Sequence, residues 1–156
     1  MSADPIPFDL TLAREAFEAA AQLHGEATRR GGAALRPADF DRLRAADAAF
    51  VEAVEATRVE DAIDADDAFH RVLVEAAGDP DLSVGQDLLM PRLRRMDLWL
   101  FTRKALEHAP SSHPQIIAAL ERGDAEQAAR LVERSFREAG EQLAAVVEGV
   151  RGDVER

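Results

Sequence analysis

The chain has 156 residues, 47% of them hydrophobic, and a formal net charge of −11, so it can bury one sizeable core and is expected to form a single domain. It contains no cysteine, which excludes disulfide frameworks, thiol nucleophiles and thiolate metal sites, and leaves histidine and carboxylates as ligands for any metal. The acidic balance argues against direct contact with nucleic acid, because duplex binding rests on cations that displace condensed counterions.

Alanine-rich segments with Glu, Arg, Leu and Gln, few β-branched runs and no asparagine point to an all-α domain. Residues 1–9 are expected to form a lead-in, 10–150 the helical domain and 151–156 a frayed charged tail. A first helix is predicted from about Phe8 to Arg30, with Leu10, Ala13, Phe17, Ala20 and Ala21 on one side, stopping at Gly31-Gly32. Pro37 suits the first turn of a second helix, whose apolar positions Phe40, Leu43, Ala46, Phe50 and Val54 recur at helical spacing. A third carries Ile63, Asp66, His70 and Leu73 to a stop at Gly78-Asp79-Pro80. The fourth runs from Asp81 to about Leu106 and contains Pro91, which should bend or interrupt it. On it lies Arg92-Leu93-Arg94-Arg95, either a solvated face or a source of an arginine turned inward toward an anion.

After a polar link through His108-Ala109-Pro110, a short fifth helix is predicted to start at Ser111 or Ser112, either of which can cap it, and to end at Gly123. Asp124 caps the sixth, which carries Ala128, Leu131, Val132, Phe136, Leu143 and Val147 to about Val150. No fixed-period repeat is present, which excludes a solenoid. The N-terminus lacks a basic region followed by an apolar core, and no apolar run reaches the roughly 18 residues of a membrane span. The expected location is cytoplasmic, with no membrane contact.

The chemistry centres on Asp66 and His70, four apart on one helix face, where a carboxylate and an imidazole project toward a common point. That spacing is a chelating geometry, although a single histidine on an apolar face is more often a hydrogen-bonded core residue. A further ligand has to come from His24, His108 or His113. His113 is the best placed of these, because it opens a separate amphipathic helix.

Two stretches carry a family resemblance. Asp66 to Leu82 reads D-x-x-F-H followed by L-x-x-A-A-G-D-P-x-L, and His113 through Asp124 follows H-x-x-I-x-x-A-x-x-x-G-D up to the Gly123-Asp124 pair. Arg14 and Glu18 add an R-x-x-x-E pair on the first helix. Together these segments resemble the FCD domain, the C-terminal effector-binding domain of FadR-type regulators of the GntR family, over nearly the whole chain. The resemblance implies an antiparallel bundle of six to seven helices around a central ligand cavity, usually paired as a homodimer. It further implies a divalent metal held by one aspartate and three histidines, and a small carboxylate effector bound to the metal and to an arginine.

Carried over position by position, the metal ligands are Asp66, His70 and His113, and the last family ligand falls on Ser135, a poor ligand for zinc or nickel. Three states fit that departure: a metal-free cavity for an organic ligand, a metal on three protein ligands with an open position, or a substitute ligand such as His108 or Glu138. Histidine and carboxylate donors suit zinc, nickel, manganese or iron. Arg94 and Arg95, then Arg14, are the arginines expected to orient the carboxylate, with Ser135 beside it. No winged helix-turn-helix is present in this sequence, so the expected role is small-molecule sensing without DNA contact by this chain. Two other readings stand beside it. One is a metal-dependent enzyme on the same bundle, with water at the open position and Glu18 or Glu75 as base. The other is a helical interaction module with a vestigial pocket.

Overall fold

The computed structural model describes residues 6–103 and 111–156. Six helices lie within them: α1 (Leu10–Gly32), α2 (Pro37–Glu55), α3 (Val59–Ala77), α4 (Pro80–Arg103), α5 (His113–Glu121) and α6 (Ala125–Val154), with no strand among the described residues. The all-α expectation is therefore met. No helix of the described residues is long and apolar enough to cross a membrane.

Local chemistry sets most of the helix ends. The Asp9 side chain accepts the Leu12 backbone N–H at 3.0 Å and so starts α1. Pro37 occupies the first turn of α2, and the Asp39 carboxylate reaches back to the Arg36 backbone N–H at 2.9 Å. Gly78 closes α3 with φ of 65°, a left-handed conformation that glycine adopts without a side-chain penalty. Asp124 caps α6 by accepting the Gln127 N–H at 3.0 Å, as its sequence position predicts.

One helix end differs from the sequence reading, and two points that it left open are decided. α4 runs through Pro91 as a single helix, so the proline does not interrupt it. Ser112 makes no side-chain cap bond, and Ser111 Oγ instead accepts the His113 backbone N–H at 3.1 Å. α6 continues to Val154, four residues beyond the expected end at Val150, because alternating charges do not by themselves stop a helix whose backbone bonds are being made. The expected end of the fourth helix near Leu106 lies outside the described residues, as do His108 and the Pro110 link.

α1 is the hub. It packs against α6, α3 and α4, while α2 packs on α3 and α5, and α5 on α6. Small residues make the close approach possible: Ala13, Ala16, Ala20, Ala21 and Ala27 of α1 are all buried. On α6 the buried Ala128, Val132, Phe136, Leu143 and Val147 fall on one stripe. The core is completed by Leu43, Phe69, Leu73, Leu93 and Ile116, each almost fully buried and each contributing roughly 1.5–3 kcal/mol relative to exposure. This arrangement sets α5 against α6, with α3 reaching α6 through the His70 ring 5.0 Å from that of Phe136, and there the polar residues collect.

Candidate metal centre

One ligand atom from each of Asp66, His70 and His113 lies within 4.8 Å of the other two. The Asp66 and His70 side chains come from adjacent turns of α3, and His113 from the first turn of α5. Asp66 Oδ1 is 2.8 Å from His113 Nε2 and 3.6 Å from His70 Nε2. Burial alone would raise the Asp66 carboxyl, but His70 and His113 outweigh it and hold the group well below the usual carboxylate range. An ionised carboxylate between two imidazoles is a donor set suited to a divalent transition ion.

The ring of His113 is fixed from every side. Its Nδ1 is 3.2 Å from Asp47 Oδ1 on α2, and Ser111 Oγ donates to the same oxygen at 3.1 Å. Phe69 stacks on the ring with centroids 3.9 Å apart, and Phe50 meets its edge at 5.2 Å. A carboxylate that accepts from one imidazole nitrogen leaves the other with its lone pair available, which is the usual outer arrangement around a metal-bound histidine. Asp47 stands in that position. By contrast, His70 Nδ1 is buried with no hydrogen-bond partner among the described residues, as is His24 Nε2.

His24, named from sequence as an alternative ligand, lies behind the triad. Its ring stacks on Phe136 at 4.7 Å and faces the His70 ring at 5.4 Å, outside the group of converging ligand atoms. Burial, reinforced by the nearby His70, pushes the His24 imidazole down to about 3 from an ordinary 6.5. The folded chain therefore keeps His24 neutral while the unfolded chain protonates it below 6.5, so the stability present above that pH is lost as pH falls toward 3. The slope from this one group reaches about 1.4 kcal/mol per pH unit. Urea unfolding of the metal-free chain between pH 6.5 and 4 should give a shallower pH slope for His24→Leu than for the wild type. Equal slopes would place the proton uptake elsewhere.

Two cavities that share part of their lining flank Asp66. The larger, about 340 Å³, is lined by His113, Ser111, Ser112, Arg134, Ser135 and Glu138 among others. The smaller, about 120 Å³, is lined by Phe17, Phe136 and Asp97. Phe50, Asp66, Phe101, Ser135 and Ala139 border both. Ser135, at the position where the family pattern has its last ligand, thus lies on the shared wall with Asp66, and its hydroxyl is 3.5 Å from that of Ser112.

The three arginines expected to face the ligand lie elsewhere. Arg14 pairs with Glu148 at 3.3 Å along a separate groove between α1 and α6. Arg94 is tied to Asp64 and, at 3.8 Å, to Asp67, and Arg95 is exposed. Helical phase explains this, since Leu93 and Met96 of α4 occupy the inward positions. The arginine that does line the larger cavity is Arg134, which has no ion-pair partner among the described residues. Glu138, considered as a substitute ligand, lines the same cavity but does not join the converging group.

Asp47, Asp97 and Arg134 were missed from sequence. Asp97 carried a readable signal, a lone acid within the apolar stripe Leu93, Met96 and Leu100. Asp47 and Arg134 carried none, being ordinary charged residues on amphipathic helices.

A helical bundle with two cavities that share part of their lining, and an acid and two imidazoles converging beside them through Asp66 and His113, has the build of a small-molecule-binding domain. A family model described as the FCD domain matches residues 15–138, and the chain belongs to that family. FCD domains are the effector-binding domains of GntR-family regulators. Among curated proteins none matches the chain.

Proposed function

We propose that this domain senses a small carboxylate, bound in the larger cavity beside a divalent metal on Asp66, His70 and His113. The observation that carries this reading is the convergence of those three ligand atoms within 4.8 Å at the edge of a cavity. A bound zinc, nickel, manganese or iron ion would offer the carboxylate a Lewis-acidic coordination position. Asp47 orients the His113 ring, Ser135 leaves one side of the centre open, and Arg134, in place of Arg14, Arg94 or Arg95, supplies a guanidinium for the carboxylate. Binding across α3, α5 and α6 favours one packing of these helices, and the resulting shift passes to a DNA-binding domain or a second copy in a homodimer.

The catalytic reading has less support. Glu18 is engaged by Arg137 at 2.9 Å, and Glu75 by Arg42 at 2.7 Å. Neither lines the cavity beside the triad, so neither candidate base is positioned to serve a water there.

Metal analysis of the purified chain, followed by chelation and zinc titration, is expected to show one site per chain. Restoring the family's ligand with Ser135→His should tighten zinc by about tenfold or more. Zinc binding that is indifferent to His70→Ala would overturn the assigned centre.

A further inference from the structure

The smaller cavity has chemistry that the metal reading does not use. Four phenylalanines, Phe17, Phe50, Phe101 and Phe136, line it, with Ala62 and Ile63. Into this largely apolar space α4 delivers one carboxyl, Asp97, which has no hydrogen-bond or ion-pair partner among the described residues. Its neighbour on the helix, Arg94, is committed to Asp64 and Asp67. An acid left without a cation in such surroundings is costly when ionised, and burial, with Asp66 and Asp67 nearby, pushes the Asp97 carboxyl well above its usual range. No arginine, lysine or histidine lines this cavity.

We infer that the smaller cavity is a subsite for an alkylammonium group, with Asp97 as the counter-ion and the phenylalanines as its walls. A carboxylate satisfies the ammonium's charge and its N–H donors, and aromatic rings favour a desolvated cation over neutral alkyl surroundings. Asp97 stands outside the group of converging metal-ligand atoms, which favours an organic cation over a second role in holding the metal. Because the two cavities share Asp66 and Ser135, one ligand can occupy both. This deepens the carboxylate-sensing reading and rests on it: the effector is an amino acid in the broad sense, with its carboxylate in the larger cavity and its ammonium in the smaller.

Calorimetric titration of the zinc-loaded chain with straight-chain ω-amino acids of two to five carbons, each against its parent acid, tests the inference. Butylamine serves as a probe of the smaller cavity alone. At least one amino acid is expected to bind tenfold or more tightly than its parent. Asp97→Asn should erase that difference while leaving affinity for the parent acid and for zinc unchanged. Equal affinities in the wild type would overturn the subsite, and a loss of zinc affinity in Asp97→Asn would assign the residue to the metal instead. If no acid binds but butylamine binds in an Asp97-dependent way, the carboxylate reading fails and the ammonium subsite stands. If neither binds, both fail.

Discussion

A His113→Ala chain is expected to lose zinc affinity by about 100-fold or more and to unfold about 2–4 kcal/mol more easily even without metal. Both effects follow from how many groups depend on this ring. One imidazole meets Asp66 at one nitrogen and Asp47 at the other, so its removal leaves two carboxylates facing a hole in the wall of the cavity. Phe69 loses the ring stacked on it, a contact of about 1 kcal/mol. The metal loss is read by zinc titration and the stability loss by urea unfolding of the chelated protein. Unchanged values in both would mean that the ring is neither a ligand nor a packing element, and the proposed centre would fall. A loss of stability with zinc affinity preserved would leave His113 as a core residue alone.

Gly31→Ala should have a comparable effect on the fold through backbone contact. A Cβ at Gly31 would stand 2.2 Å from the Leu73 carbonyl oxygen and 3.1 Å from the Ala77 backbone nitrogen. Those atoms belong to α3 itself, so no side-chain rotation relieves the clash, and α1 must move away from the helix that carries Asp66 and His70. Overpacking of this kind costs on the order of 3 kcal/mol, a fall in Tm on the order of 10 °C for a domain of this size. Thermal unfolding by circular dichroism gives the answer directly. A Tm within about 2 °C of the wild type would show that the two helices are not held at this spacing. Gly25→Ala is the instructive comparison, because the nearest atoms its Cβ would meet belong to the Glu133 side chain and not to backbone, so that side chain can move at the expense of its ion pair with Arg29, and the cost should be smaller.

The order and type of the helices were legible in the sequence because their signals are local. Pro37, Gly78, Gly123 and Asp124 act through their own backbone or the next turn, and the apolar stripe of α6 shows at its own period. The acid and two imidazoles were legible for a similar reason. Asp66 and His70 share one helix face, and His113 entered through a pattern of neighbouring residues. Ser135 likewise could be counted from Gly123-Asp124.

Helical rotation and long-range pairing were not legible. Arg14, Arg94 and Arg95 lie on helices that border the core, but a rotation of one residue decides whether a side chain meets the cavity or an outer acid, and spacing within one helix fixes no absolute phase. The same limit hid Arg134, Asp97 and Asp47, whose roles depend on residues carried by other helices. The sequence by itself determined a helical domain of the FCD type, with an acid and two imidazoles placed to meet. Only the packing of α3, α4, α5 and α6 decided which arginine faces the cavity, and that a lone carboxyl ends among phenylalanines. Both outcomes depend on the close approach of separate helices, which no local pattern encodes.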